Sequence, residues 1–507
     1  MPSGTNTIHH ALAALGGVAM ALVAILGATA LAQEKVLHIA MTAADIPKTT
    51  GQLDQGFEDN RFTDIPVFDS LMQWDLSSAD KLSVLVRGLA TEWTASVSGT
   101  GTWSCAGSNG GANASCSAPA ACSVSGGTAL SPTSLTGALA NVQCTQFNLG
   151  DGHYAAVTMT RPNIIIKAVN KCAAIIHPEL SIQAPNITVD GVSVTAAGNA
   201  ITIYNPGVRV VNSCIQGFGK TQYGNGIWIF QKALDPNNKI IIEGNELSDW
   251  GGYLYSGGIA IGKANDNYAV PAAISVEVRS NRITDGPTQK AIYNAAVQAF
   301  HPFLAYKNYI HTVSGTSFQN KTFNSRVACN EMVNVIGDGA MNNRLGSNNL
   351  WEYNIVHDSD VGIDHFMGDG TAFRGNVIYN VGYFGRVKDQ GIGSTNLTFE
   401  NNTFYKSSAW ASFIWDNTSG APLNNILWRK NIFHTAKGIS IASSRALEPV
   451  WDETLNIFFN AVLPTGTTGA SGTSLSINPN FVNPPSDFTA QEPSASGKGA
   501  PWPLPCP

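Results

Sequence analysis

A short sequence pattern recurs along the middle of the chain, between Ile187 and Ser443. Each copy has a β-rich run, then an asparagine (once an aspartate) before a small or apolar pair, then a loop and a second apolar run. Successive anchor residues lie 22 to 36 residues apart. A period of this size predicts stacked supersecondary units, because no single copy can bury its own apolar face. The anchors are Asp190, Asn212, Asn245, Asn281, Asn308, Asn330, Asn354, Asn376, Asn402 and Asn431.

The anchored copies and a closing segment, INPNFVNPPSDFTA from Ile477 with Pro493 to Ala500, carry a resemblance over about residues 129–500. They resemble right-handed parallel β-helix proteins of the pectate-lyase-like superfamily. The resemblance implies an all-β solenoid, and runs such as VRVV and IIIE agree, because each buried strand needs only two or three inward apolar residues. We expect the anchor asparagines to adopt the left-handed bend between strands and to hydrogen-bond from coil to coil.

The first 32 residues predict a secretory signal peptide. An apolar run from Ala11 to Leu31 ends in Ala30-Leu31-Ala32 before Gln33, which fits a small-residue cleavage site. The alternative is an uncleaved membrane anchor, because the run is nearly long enough to span a bilayer. We expect a secreted or periplasmic protein with no stable membrane insertion once the signal is cleaved.

Residues 33–95 have a different character. Val36–Met41, Gly56–Glu58, Val67–Asp75 and Gly88–Trp93 resemble the start of the family 5 (peptide and nickel) extracellular solute-binding proteins of ABC importers. That resemblance implies an α/β fold and a solute-binding role in an importer. Only about 60 residues match a fold that needs several hundred in the family, so we interpret the segment as truncated.

The remaining boundaries follow from composition. Residues 96–128 are rich in Gly, Ser and Ala and predict a linker, and residues 461–507 predict a C-terminal tail after a β-helix over 129–460. Ser131 to Leu139 predicts a short helix that covers the N-terminal end of the stack. Eight cysteines in an exported chain permit disulfides, although their pairing cannot be read from the sequence.

Charge limits the range of partners. The 29 basic and 35 acidic residues give a net charge of −6, with no broad basic field. This argues against nucleic acid as the main partner. We expect a monomer whose partner is a polysaccharide.

Chemistry in a filled solenoid has to come from side chains on an outer face. The second run after each anchor contains almost only apolar and small residues in the coils at both ends of the stack, but it contains polar and charged residues in the middle coils. Coils lie about 4.8 Å apart, so side chains on neighbouring coils reach the same one or two sugar units. The polar positions are Tyr293, Asn294, Asn342, Asn343, Arg344, Asp364, His365, Arg386, Lys388, Asp389, Trp415, Asp416 and Asn417.

β-Elimination from a uronic-acid polymer is the preferred chemistry. It needs a cation to neutralise the substrate carboxylate and a base to take the neighbouring proton. Arg344, Arg386, or a calcium ion held by Asp364 and Asp389, are the candidate neutralisers. The candidate bases are Lys388 and His365, and the candidate substrate-binding residues are Tyr293, Asn342, Asn343 and Trp415.

Besides the solute-binding role in an ABC importer, which only residues 35–95 suggest, two alternatives stay open. Hydrolysis would need two carboxyl groups, which Asp364 with Asp389 or Asp416 could supply. The paired Asp and Gly-His-Gly motifs of polygalacturonase-like members are absent, and Gly362–His365 matches only part of the Asp-Pro-His-Asp motif of alginate epimerases. A noncatalytic glycan-binding or surface-structural solenoid is the second alternative.

Overall fold

The computed structural model describes a large part of the chain from residue 129 onwards and four short strands before it. The described ranges are 129–140, 144–221, 223–251, 256–262, 273–286, 295–388, 393–417, 423–436, 439–443, 451–461 and 473–506. Contacts divide the chain into a unit of residues 1–94 and 103–116 and a unit of 95–102 and 117–507. The predicted signal peptide, and most of the solute-binding-like segment and linker, lie outside the described residues.

The four upstream strands form two small pairs. Met72–Trp74 pairs antiparallel with Leu85–Arg87. Thr102–Cys105 pairs with Ala114–Ser117. Among the described residues, no helix is long and apolar enough to cross a membrane.

Parallel strands of the second unit form a β-helix, in which each coil adds one strand to each of three sheets. Sheets 2 and 3 are joined by the long strand Tyr309–Asn320, which runs through both. Sheet 1 contains Gln146–Leu149, Ile165–Ala168, Thr188–Asp190, Arg209–Val211, Ile240–Glu243, Val276–Arg279, Phe303–Tyr306, Arg326–Ala328, Leu350–Glu352, Ala372–Arg374, Ser394–Glu400, Leu423–Arg429 and Trp451–Thr454, with Gly368–Asp369 paired beside it.

The other two sheets have the same parallel order. Sheet 2 contains Gly152–Tyr154, Ala174–Ile176, Ser193–Thr195, Cys214–Gln216, Glu246–Ser248, Arg282–Thr284, Glu331–Gly337, Ile355–His357, Val377–Val381, Thr403–Ser407, Ile432–His434 and Ile457–Phe459. Sheet 3 contains Val157–Met159, Leu180–Ile182, Ile201–Ile203, Asn225–Ile229, Gly257–Ile261, Ala295–Ala299, Met341–Arg344, Val361–Phe366, Tyr383–Lys388, Phe413–Asn417 and Ile439–Ser443. The predicted parallel β-helix is therefore confirmed.

Stacked apolar side chains fill the inside of the coils. Val189, Val210, Ile242 and Val278 follow one another in register on sheet 1 and are fully buried. Each such side chain contributes about 1.5–3 kcal/mol through burial. Because every coil repeats the arrangement, the core continues along the stack.

The anchor asparagines from Asn245 onwards form a buried ladder. Asn330 Nδ2 donates to Asn354 Oδ1 at 3.0 Å, and Asn354 Nδ2 donates to Asn376 Oδ1 at 3.0 Å. The same Oδ1 of Asn354 also accepts the backbone N–H of Asn330 at 3.0 Å. The predicted coil-to-coil hydrogen bonding is therefore confirmed.

The expected left-handed bend lies one residue earlier than predicted. Ser280 and Lys307 have φ angles of 53° and 54°, and each immediately precedes a ladder asparagine. Asn212 itself has the left-handed φ of 51°. In its coil the buried ladder position is therefore occupied by the next residue, Ser213, whose backbone N–H donates to Asn245 Oδ1. Asp190 and Asn212 therefore lie outside the ladder. Asparagine occurs at the ladder positions because its side chain makes the coil-to-coil hydrogen bonds.

Replacing one ladder residue tests this role. In Asn354→Ala, the Asn330 N–H and the Val327 carbonyl lose a buried partner. We expect the free energy of unfolding to fall by about 2 kcal/mol, because each orphaned buried group costs about 1–3 kcal/mol. Asn205→Ala removes one exposed hydrogen bond and is the matched control. Equal losses in chemical denaturation would contradict a special role for the ladder.

A short helix covers the N-terminal end of the stack. The capping helix spans Leu135–Ala140, because residues 131–134 form a turn closed by Ser134 N–H donating to the Ser131 carbonyl. Leu135 is buried in the core. The predicted cap is confirmed, with a later start than the sequence indicates.

The C-terminal tail runs back along the outside of sheet 2. Its hairpin pairs Phe481–Asn483 with Asp487–Ala490, and a 3₁₀ turn follows at Pro493–Ala495. Phe488 and Trp502 pack near Val377 and Tyr405 of sheet 2. The disulfide Cys329–Cys506 fixes the end of the tail to the stack. A second disulfide joins Cys172 and Cys214 on neighbouring coils, and Cys144 is also disulfide-bonded.

Candidate functional site

The strands of sheet 3 carry two inward rows of side chains that alternate with two outward rows. Met341, Ile363 and Gly385 are in register and lie toward the core. The next position along each strand forms outward row A, which contains Asn342, Asp364 and Arg386. Two positions further along lies outward row B, with Arg344, Phe366 and Lys388. The fold thus brings Arg344, Asp364, Arg386 and Lys388 onto the same outer face.

Asn343 and His365 lie in an inward row instead. Both are fully buried, and the amide nitrogen of Asn343 lies 3.1 Å from Nδ1 of His365. The His365 ring meets the core residue Phe373 edge-on, with the ring centroids 6.3 Å apart. Burial lowers the pKa of His365 to about 3. The prediction that these two residues face the outer groove is therefore wrong, because alternation along the strand turns them to the core.

Asp364 and Arg386 form an ion pair beneath the surface of row A. Arg386 Nη2 lies 2.5 Å from Asp364 Oδ2 and 3.5 Å from Asp338 Oδ1. Burial raises the pKa of Asp364 to about 6, although the charge of Arg386 opposes that shift. Burial also opposes the charge of Arg386, but the two aspartates raise its pKa overall. Arg386 therefore already neutralises a protein carboxylate, which leaves less of its charge for a substrate.

Row A also holds buried polar atoms without partners. Among the described residues, both amide atoms of Asn342, Gln319 Nε2 and Asp364 Oδ1 have no hydrogen-bond partner. Gln319, Asn342 and Asp364 are consecutive in register and fully buried. Buried polar groups are paired in the great majority of cases, so these atoms mark where ordered water or another partner would bind in row A.

Row B carries cations against an aromatic ring. Arg344 Cζ lies 5.4 Å and Lys388 Nζ 4.5 Å from the centroid of Phe366. Cation–π contacts at these distances orient the two charged groups over the ring. The row therefore presents positive charge on alternate coils.

Lys321 extends row B and was not among the predicted site residues. It directly follows Asn320, which pairs with Asn343, so Lys321 is the neighbour of Arg344 on the preceding coil. Its Nζ lies 4.8 Å from the ring centroid of Phe300. Burial, and then the charge of Arg344, lower its pKa to about 8. Aligning SFQNK at 317–321 with AMNNR at 340–344 would have found it. In other coils a turn separates the strand of sheet 2 from that of sheet 3. In this coil the continuous strand Tyr309–Asn320 has no such turn, so the start of its sheet 3 part is not apparent from the sequence.

The other predicted site residues are less fully described. Tyr293 and Asp389 lie outside the described residues. The backbone of Trp415 is in register with that of Val387 on the preceding coil. No group of three or more His, Cys, Asp or Glu side chains that could hold a metal occurs in the described part of the chain. Asp364 is a poor calcium ligand because its Oδ2 already contacts the Arg386 guanidinium. The calcium site that Asp364 would form with Asp389 stays a prediction, because Asp389 lies outside the described residues.

Comparisons with known proteins connect this fold to characterised enzymes. No protein-family model and no curated protein matches this sequence. A solved arginine-to-alanine variant of the PL6 family alginate lyase AlyGC has a TM-score of 0.53 at 12% identity, covering 74% of this chain and 56% of that chain. AlyGC itself has a TM-score of 0.50 at 13% identity, covering 74% of this chain and 57% of that one.

The likeness shows a shared fold. This chain spans little more than half of the length of AlyGC. The resemblance of residues 35–95 to solute-binding proteins receives no support from these comparisons.

Proposed function

We propose that the protein cleaves a uronic-acid polysaccharide by β-elimination on the outer face of sheet 3, with Lys321 and Arg344 at the centre of the site. The observation that carries the proposal is the pair itself. A half-buried lysine with a pKa lowered to about 8 stands next to an arginine on the adjoining coil. The fold shared with an alginate lyase adds support.

The pair supplies the two requirements of elimination. The Arg344 guanidinium is placed to bind the carboxylate of a uronate, which makes the proton on the adjacent C5 more acidic. Neutral Lys321 Nζ takes that proton. The electron pair of the C5–H bond forms the C4=C5 double bond, and the bond from C4 to the glycosidic oxygen breaks. The departing oxygen takes a proton, which the Lys321 ammonium can return.

Lys388 serves a second sugar unit in this arrangement. It lies two coils beyond Arg344 in row B, with Phe366 between them. Two coil steps amount to roughly 10 Å, so Lys388 is placed to bind the carboxylate of a different unit from the one at Arg344. Phe366 lies between the two charges as a buried ring that both cations contact. The base predicted at Lys388 therefore moves to Lys321, and Lys388 becomes a substrate-binding residue.

Calcium is kept as a separate proposal with its own test. A calcium ion held by Asp364 and Asp389 would supply a second positive charge for the substrate carboxylate. Because Arg386 already binds Asp364, no step above passes through the ion. Assays with added calcium and with a chelator measure its contribution.

The assay uses the full chain with alginate, pectate and chondroitin as separate substrates. Elimination is followed by the ultraviolet absorbance of the unsaturated uronate that only this reaction produces. We expect signal with at least one substrate and a loss of about 10²-fold in kcat/KM for Arg344→Ala, the size seen when one transition-state donor is removed.

Arg374→Ala is the matched control, because Arg374 lies on sheet 1 and pairs with Glu400. It should keep the wild-type rate. Binding without unsaturated product, with or without calcium, would replace the lyase by a noncatalytic glycan-binding solenoid. Equal rates for both arginine variants would remove Arg344 from the mechanism.

A further inference from the structure

Three aromatic side chains cluster on the outer face of sheet 3, toward its N-terminal end. The Phe230 ring centroid lies 4.0 Å from that of Tyr204 and 4.2 Å from that of Trp228, with interplanar angles of 20° and 26°. All three side chains are half-buried and lie outside the core. Lys232 Nζ lies 5.0 Å from the Tyr204 ring centroid. We call Tyr204, Trp228 and Phe230 the aromatic platform.

The platform shares its rows with the proposed active site. Trp228 is in register with Ala260, Gln298, Gln319 and then Asn342, which places it in row A. These four coil steps correspond to roughly 19 Å along the stack. Phe230, two residues after Trp228, falls in the same way in row B with Lys321 and Arg344.

On the coil next to the platform both row positions are small and buried, and the ring of His301 packs against Gly262. Ala260 is the row A residue there, and Gly262 is the row B residue. On the following coil Phe300 lies in row B, beneath Lys321 Nζ. Row B therefore carries rings at Tyr204, Phe230, Phe300 and Phe366 and positive charges at Lys321, Arg344 and Lys388.

We infer that the aromatic platform binds sugar rings of the same uronic-acid chain, several units away from the bond that is cut. The inference rests on the proposed function for the identity of the ligand. Trp228 and Tyr204 each stack one face on Phe230 and turn the other face away from it. A flat aromatic face of this kind suits the apolar face of a pyranose ring. Exposed Lys232 provides positive charge beside the platform, as Arg344 and Lys388 do in the site. A polymer of rings and carboxylates matches this sequence of groups along one face.

The geometry makes substrate length the property to measure. A chain that reaches from Arg344 to Trp228 has to span roughly 19 Å, which needs roughly four or five sugar units. Shorter oligomers held at Arg344 cannot touch the platform. Stacked aromatic side chains also stabilise a sheet face by themselves, so binding and stability have to be measured separately.

The experiment is calorimetric binding of uronate oligomers to the full chain. All proteins carry Lys321→Arg, so that the ligand is not cut during the measurement. Oligomers of about three and about eight units of the preferred uronate are compared, because only the longer can cover the roughly 19 Å between the two groups. We expect the longer oligomer to bind at least tenfold more tightly, and Trp228→Ala to reduce that ratio to about threefold or less.

Two further variants make the result specific. Tyr306→Ala removes an aromatic side chain from sheet 1 and should keep the full ratio. Trp228→Leu keeps an apolar side chain but loses the flat face, and it replaces Trp228→Ala if the latter fails to show wild-type circular dichroism. A ratio near one in the parent protein, a full ratio in the Trp228 variant, or no binding of either oligomer would overturn the inference.

The result is separable from the proposed reaction. If the native chain produces no unsaturated product but the Trp228-dependent ratio is present, the lyase proposal fails and the platform stands. If the native chain cleaves the polymer but the ratio is absent, the platform fails and the lyase proposal stands.

Discussion

Lys321→Arg should abolish most of the elimination activity. The substitution keeps a positive charge in row B next to Arg344, but a guanidinium stays protonated at any pH at which the protein is folded. Loss of a general base typically costs 10²–10⁴-fold, and we expect about 10³-fold in kcat with a much smaller change in KM. Initial rates over a range of substrate concentrations measure both.

The pH dependence identifies the base independently. Lys321 has to be neutral to accept the proton, and its pKa is lowered to about 8. Wild-type kcat/KM should therefore rise about tenfold per pH unit below that value and level off above it. Lys167→Arg, on sheet 1, is the matched control and should retain both the rate and the profile. A rate that keeps rising well beyond pH 8, or full activity in Lys321→Arg, would exclude Lys321 as the base.

Arg386→Gln should produce a large loss of stability. Asp364 is fully buried, and the Arg386 guanidinium is the cation that contacts its Oδ2. Removing one partner of a buried ion pair leaves an uncompensated charge and typically costs about 3–5 kcal/mol. Chemical denaturation at about pH 8 should show a decrease of that size in the free energy of unfolding.

The sign of the pH effect follows from Asp364. Its pKa in the folded protein is raised to about 6, above the ordinary value of 3.8, and loss of Arg386 raises it further. As the pH falls through this range the buried carboxyl gains a proton, and the folded state takes up that proton more readily than the unfolded state. The difference between Arg386→Gln and wild type should therefore narrow toward about pH 5.

A double variant checks the cause of this loss. Adding Asp364→Asn to Arg386→Gln removes the buried negative charge and should restore most of the lost stability. If the double variant is as unstable as Arg386→Gln alone, or if the loss is the same at every pH, the effect comes from packing and the ion pair is not its origin.

The fold could be predicted from local chemistry because each coil repeats it. On successive coils, apolar side chains fill the core and an asparagine bonds to the next coil, as Val210, Ile242 and Asn354 do. The repeated sequence pattern is therefore enough to predict most of the fold. The physical reason given for asparagine was only partly right. Its side-chain hydrogen bonds explain its presence, and residues such as Ser280 supply the left-handed bend.

Which residues reach the site depends on which side chains of each strand point outward, and the sequence specifies this alternation only weakly. A shift of one residue exchanges the inner and outer faces of a strand. Within GIDHF, Asp364 therefore lies in an outward row and His365 lies in the core, although both are polar. The full burial of Asp364 depends on side chains from other coils, such as Arg386, and cannot be read from its own segment.

The returning C-terminal tail changes how the stack can come apart. Coils of a solenoid normally contact only their neighbours, so an end can unravel one coil at a time. Here Gly499 N–H donates to the Lys430 carbonyl, Ala500 N–H donates to Thr403 Oγ1, and Cys506 is bonded to Cys329. One segment is thereby tied to coils far apart in the stack. When the C-terminal coils fray, the covalent Cys329–Cys506 bond stays intact, so the tail remains linked to the coil of Cys329 and the loosened end stays close to the coils that carry Arg344 and Lys388.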